Sequence, residues 1–220
     1  APAPSGNARE TEGGFPLAEQ REQLAGVFAR MECPLILKAE PDSRPVSEDL
    51  RRMLIVLAAL TAKLTVEWTP PSDGPERPCV RVLRADGTDT GIAFHGVPGG
   101  HEFNSFVVGL YNAAGPGQSI DPALAEAIAA IDRPLDLQIV VALSCTMCPE
   151  LVIAAQKFAA SNPLVTAKVY DVNHFPELRE RYKIMSVPCL IINKAKVAFG
   201  KKTLGQLLEL LAEPEDGQTG

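Results

Sequence analysis

Apolar and polar positions in this chain switch between helical and strand-like spacing, and the order of the switches occurs twice. "PLAEQREQLAGVFARM" carries apolar residues at helical spacing, and "CPLILKAEP" follows as the short apolar run of a buried strand. "SEDLRRMLIVLAALTAK" predicts the strongest helix, with Ser47 as N-cap and Glu48 and Asp49 in the first turn. "LTVEW", "CVRVLRA" and "GIAFHGV" predict strands, separated by the turn-rich "TPPSDGPERP" and by "GTDT"; "GHEFNSFVVGLYNAA" predicts a closing helix.

After the hinge-like "GPGQS" the order returns. "DPALAEAIAAID" predicts a helix, "LDLQIVVAL" a strand, "CPELVIAAQKFAAS" a helix and "LVTAKVYDV" a strand. "FPELRERYKI" then adds a helix, with Pro176 tolerable in its first turn, before the strands "CLIIN" and "KVAFG" and the helix "TLGQLLELLAE". The halves share a local signature, since Pro78-Cys79 and Pro188-Cys189 each open a strand in the later part of a repeat. A β-α-β unit followed by a hairpin and a helix is the thioredoxin arrangement. The pattern therefore predicts an α/β chain of two tandem thioredoxin-like folds, at residues 17–117 and 118–212, with tails at 1–16 and 213–220. "TPPSDGPERP" is too rich in proline to be helical, so the first repeat reads as the reduced copy.

Composition narrows the function. The 220 residues are 46% hydrophobic and 22% charged, the make-up of a globular protein. A net charge of −6 and an aromatic share of 5% argue against nucleic acid, which selects basic grooves and stacking surfaces. No stretch reaches membrane-spanning length, and the opening "APAPSGNARETEGGFP" has no apolar core of a signal peptide, so neither a membrane nor secretion is expected. Five cysteines, an odd number with one close pair, do not resemble a secreted disulfide framework; a reducing cytoplasm is the expected setting.

That close pair, Cys145 and Cys148 in "LSCTMCP", falls where a strand turns into a helix. Cys145 is expected to cap the helix, whose unpaired N–H groups and partial positive charge favour a thiolate. Cys148, one turn in, would be the buried resolving thiol. The second element is "MSVPC": a cis Val187–Pro188 bond beside the cysteine loop would turn the Val187 backbone toward an incoming polypeptide.

Together "LSCTMCP", "FAASNP", "MSVPCLIINK" and the first-half "GHEFNSFVVGL" resemble the amino-terminal domain of the flavoprotein component of bacterial alkyl hydroperoxide reductase, across roughly residues 17–212. In that family two fused thioredoxin folds, one without redox cysteines, relay electrons from a flavin domain's dithiol to a peroxiredoxin disulfide. The resemblance implies that Cys145 is the interchange thiol, Cys148 its partner in a redox-active disulfide, and Pro188 the cis-proline. It implies an acid–base role for Glu102, and it makes Thr146, Met147, Val187 and Pro188 the residues that face a substrate. Thr146-Met147 departs from the polar, His-containing pair frequent in the family. No G-x-G-x-x-G follows a strand, so FAD and NADH are expected on a partner domain or chain, a flavoprotein reductase of the thioredoxin-reductase type, with a peroxiredoxin as acceptor.

Plainer readings compete with these. Cys145 and Cys148 as mere packing residues would be unusual at a strand-to-helix switch. A zinc or iron–sulfur site wants four ligands and would have to recruit Cys189 and His174, so no metal is expected. Cys33, Cys79 and Cys189 read as core cysteines, Glu102 as a solvated helix-start carboxylate, and His101 as a surface or capping group. The expected function is thiol–disulfide exchange. The alternatives are a free-standing glutaredoxin-like protein disulfide oxidoreductase and a non-catalytic docking module.

Overall fold

The computed structural model describes residues 18–213, so the tails predicted at 1–16 and 213–220 lie, apart from residue 213, outside the described residues. The first half runs α1 (Ala18–Ala29), β1 (Leu35–Glu40), α2 (Val46–Ala59), β2 (Leu64–Trp68), β3 (Cys79–Arg84), β4 (Asp89–His95) and α3 (Glu102–Ala114). The second runs α4 (Pro122–Ala129), β5 (Leu135–Val141), α5 (Cys148–Ser161), β6 (Val165–Asp171), α6 (Pro176–Arg181), β7 (Cys189–Ile192), β8 (Lys196–Phe199) and α7 (Leu204–Ala212).

Local chemistry fixes several boundaries. Asp121 accepts from the Ala123 amide at 2.8 Å to start α4, with Pro122 at a position that needs no N–H. Thr203 and Gln206 form a capping box at α7. Ser47 does not cap α2 as expected. The helix starts two residues earlier, at Val46 with Pro45 as N-cap, and the Ser47 hydroxyl instead donates to Asp42 Oδ1 at 2.7 Å and accepts from the Asp42 amide at 2.9 Å.

All strands join one eight-stranded sheet in the order β2-β1-β3-β4-β6-β5-β7-β8. Each half contributes its strands in the order second, first, third, fourth, with a parallel first pair and an antiparallel hairpin, and this is the tandem thioredoxin-like fold that the pattern predicts. The halves meet edge to edge where β4 runs parallel to β6, with Phe94 opposite Val169.

Period-two alternation then sorts the side chains. Leu37, Val80, Phe94, Leu137, Ile139 and Val169 face one continuous core with Phe28, Leu54, Phe106 and Phe158 from the helices. Burying each such side chain contributes roughly 2 kcal/mol before entropic costs. On the opposite face, Val140, Tyr170, Phe175, Cys189 and Ile191 form a smaller cluster with Leu178 of α6. The first half has no helix between β2 and β3 to match α6, which agrees with a reduced copy. There His95 stacks on Tyr170 at 4.1 Å instead, and its Nδ1 lies 2.6 Å from the Glu76 carbonyl oxygen. Arg44 ties the halves by donating to the carbonyls of His174 and Arg77, each at 2.7 Å.

Candidate active site

β5 delivers the chain to the cysteine pair, and the Cys145 amide closes a turn on the Ala142 carbonyl at 3.0 Å. That turn delays the helix. Cys148, not Cys145, is the first residue of α5, and Met147 is its N-cap, so the expectation that Cys145 caps the helix is corrected. Pro149 fits in the first turn, where a missing N–H leaves no partner unsatisfied. Cys145 and Cys148 form a disulfide with Cα atoms 5.6 Å apart. Cys148 is fully buried in the main core, Cys145 is partly exposed, and Thr146 and Met147 are exposed.

The Val187–Pro188 peptide is cis, as is Arg77–Pro78 at the matching place before Cys79. Pro188 is buried and its carbonyl accepts from the Gly200 amide at 3.0 Å, which ties the loop to the residue just after β8. The Val187 carbonyl oxygen lies 3.9 Å from Cys145 Sγ, so the two segments singled out in the sequence are neighbours in space.

Glu102 departs from the solvated reading. It begins α3 but is fully buried, and its Oε1 has no hydrogen-bond partner. The Ser105 hydroxyl lies against its Oε2 and is 2.9 Å from its carbonyl oxygen. Burial pushes the carboxyl pKa up to about 7, and the Ser105 contact opposes that only in part. Two contacts tie the turn that carries Glu102 to the segments on either side of the disulfide. The next residue back, His101, donates its amide to Leu143, two residues before Cys145, and the Gln156 side chain of α5 donates to the Ser105 carbonyl at 2.8 Å. His101 itself is exposed and makes no side-chain cap.

The remaining cysteines are free thiols. Cys189 is buried and its pKa is pushed up to about 11 by burial; Cys79, also buried, is raised by burial and by the neighbouring Glu40 carboxylate. Cys33 is exposed, which corrects its reading as a core cysteine: it precedes β1 by two residues and falls in the turn rather than the strand. Among the described residues no group of three or more His, Cys, Asp or Glu side chains is placed to hold a metal ion, and no helix is long and apolar enough to cross a membrane.

A profile of the thioredoxin domain matches residues 135–212, the half that carries the disulfide. The structure of the NTD_N/C domain of alkyl hydroperoxide reductase AhpF from Enterococcus faecalis aligns with this one at a TM-score of 0.84 and 36% identity, covering 90% of this chain and 100% of that one. The chain belongs to the AhpF amino-terminal domain family. The AhpF component of alkyl hydroperoxide reductase from Pseudomonas aeruginosa is 30% identical over 200 residues, which are 91% of this chain and 37% of that protein. A protein named NADH dehydrogenase from Ferdinandcohnia aciditolerans is likewise 30% identical over 200 residues, covering 89% of this chain and 37% of its own. This chain thus spans little more than a third of the length of these curated relatives.

As an AhpF-type amino-terminal domain the chain is a thiol–disulfide oxidoreductase module, and Cys145–Cys148 is its redox-active disulfide. Neither β–α–β crossover among the described residues is built for a flavin or nicotinamide dinucleotide. The turn from β1 into α2 is "PDSRP" and that from β5 into α5 is "ALSCTM", and neither offers the glycines that let backbone approach a pyrophosphate. Sequence reasoning missed two residues at the site. Ser105 is an ordinary helix serine until Glu102 is known to be buried, and Met185 shows itself only by its exposure, 88% of its surface.

Proposed function

We propose that this module passes two electrons at a time from a flavoprotein dithiol to a peroxiredoxin disulfide. The observation that carries the reading is the asymmetry of the pair: one sulfur partly exposed beside the Val187 carbonyl, the other buried at the first residue of α5. In the reduced module the Cys145 thiolate attacks an acceptor disulfide, whose S–S bond breaks and releases one acceptor thiolate as the mixed disulfide forms. Cys148 then loses its proton and attacks Cys145 Sγ, which frees the second acceptor thiol and leaves Cys145–Cys148 oxidised. Glu102 receives the Cys148 proton. A buried carboxyl with a pKa near 7 exchanges a proton readily at neutral pH. Thr146, Met147 and Val187 face the substrate, with the Val187 backbone offered in strand fashion, while Pro188, expected to face it too, is buried.

The reverse exchange, with a flavoprotein of the thioredoxin-reductase type as donor, regenerates the dithiol; FAD and NADH belong to that partner domain or chain. Three free thiols suit a cytoplasmic, reducing setting. Residues 17–117 and 118–212 are the two folds of the module, with the redox pair confined to the second.

Reconstitution with NADH, a flavoprotein reductase and a peroxiredoxin tests the relay. Wild-type module should support peroxide-dependent NADH oxidation, Cys145→Ser should abolish it, and Cys148→Ser should trap a mixed disulfide on a non-reducing gel. Reduction of generic disulfides without transfer to any peroxiredoxin would favour the free-standing oxidoreductase instead. Failure of both would favour the docking module.

A further inference from the structure

Glu102 and Ser105 lie one turn apart on α3, and both are fully buried. A helix serine commonly returns its hydroxyl to a carbonyl three or four residues back, and Ser105 Oγ is 2.9 Å from the Glu102 carbonyl oxygen. The same hydroxyl also lies against Oε2 of that glutamate, so it touches the backbone and the carboxyl of one residue. The contact is held from behind. The Ser105 carbonyl accepts from the Gln156 side chain of α5 at 2.8 Å, and Gly109 leaves room for that approach, since a Cβ there would sit 2.7 Å from Gln156 Cδ.

Charged neighbours are turned elsewhere. On α5, Glu150 is exposed and the Lys157 ammonium donates to the Gln118 carbonyl at 2.9 Å. Glu40, Arg81, Asp89 and His95, on the strands against which α3 packs, line a cavity on the sheet face opposite the main core. His101, beside Glu102, is exposed. Burial raises the Glu102 proton affinity, and the Ser105 contact lowers it.

We propose that Ser105 is the positioning residue that keeps the Glu102 side chain in one place while its proton comes and goes. The proposal rests on Glu102 receiving the Cys148 proton, and adds how a carboxyl held out of water can do so. A hydroxyl both donates and accepts. With Glu102 ionised, Ser105 turns its hydrogen to Oε2 and donates to the carboxylate. With Glu102 protonated at Oε2, the carboxyl donates to Ser105 Oγ, whose hydrogen turns to the Glu102 carbonyl oxygen. Oγ and Oε2 are hydrogen-bonded in either state, so one hydrogen rotates and no heavy atom moves. Without the hydroxyl the ionised form loses its donor in a site closed to water, which favours keeping the proton.

The test isolates the resolving step. Cys33 is alkylated while the disulfide is intact, and the full chain is then reduced, freed of reductant and mixed with Ellman's reagent. Cys145 attacks the reagent and releases one thionitrobenzoate; Cys148 loses its proton, attacks Cys145 Sγ and releases the second in a phase independent of reagent concentration. In wild type that second phase should rise with pH through an inflection near 7. Ser105→Ala should move the inflection up by about one pH unit, the effect of one hydrogen bond to a carboxylate, and slow the phase about tenfold at pH 6. Ser105→Thr, which keeps a hydroxyl, should restore it. Glu102→Gln should remove the inflection near 7, and adding Ser105→Ala to that variant should shift nothing further. An unchanged inflection in Ser105→Ala, or the same slowing by Ser105→Ala in the Glu102→Gln background, overturns the positioning role and leaves Glu102 as proton acceptor. An inflection near 7 that survives Glu102→Gln overturns the acceptor reading itself.

Discussion

The amide of His101 donates to the carbonyl of Leu143 at 2.9 Å, which couples the first turn of α3 to the loop leading into Cys145. Gly100 makes that approach possible. It adopts φ +53°, and a Cβ there would sit 2.6 Å from the Leu143 carbonyl oxygen. Gly100→Ala is therefore expected to part the two segments, to cost roughly 1–3 kcal/mol of stability in urea unfolding, and to slow disulfide exchange. Wild-type exchange rates in the variant would show that the cysteine loop does not depend on this contact.

Glu102 gives a pH dependence whose sign follows from its burial. Its folded-state pKa lies near 7 against an ordinary 4.5, so the native state holds the proton more tightly than the unfolded chain. The stabilising contribution is full below about 4.5 and is lost as pH rises through 7, for a total of about 3 kcal/mol. Glu102→Gln stays neutral throughout. It should flatten the stability profile between pH 5 and 8, so that the variant gains on wild type as pH rises, an outcome a solvated helix-start carboxylate would not give. Denaturant midpoints at the two ends of that window decide it.

Iodoacetamide should separate the two redox cysteines. In reduced protein, Cys145 should alkylate at least about tenfold faster than Cys148, because the latter is fully buried at the head of α5. Peptide mapping after a short pulse reads the ratio directly. Faster labelling of Cys148 would reverse the roles given to the pair.

The free thiols offer an independent count. With the disulfide intact, Ellman's reagent should find Cys33 in the native protein, and Cys79 and Cys189 only after unfolding, since both are buried and hold their protons. Rapid reaction of Cys189 in the native state would mean that the strand after Pro188 opens.

Much of this is legible in the chain itself. Apolar spacing locates the helices and strands, and the cysteine pair announces itself because its chemistry is local. What the sequence hides is set by distant partners. Ser47 looks like a cap until Asp42 takes its hydroxyl, and Cys145 looks like a helix start until Ala142 captures its amide. Glu102 has the same local surroundings as any first-turn glutamate; only the packing of α3 against α5 takes it out of water. The β4–β6 pairing is equally invisible, because nothing in either strand names its neighbour.

The way the repeats share a sheet also sets a limit on growth. β4 is the last strand of the first repeat's order and β6 the leading strand of the second's, so the join is head-to-tail and leaves an unlike edge at each end, β2 and β8. An unlike pair of edges invites the same step again, and a further copy added to β8 would extend the series without closing it. The edge strands discourage that. β2 and β8 are only five and four residues long, β2 carries Glu67, and Lys196 of β8 is held by Glu213 at 2.6 Å. The same geometry that fuses two folds into one sheet would, with longer and barer borders, be the beginning of a fibre.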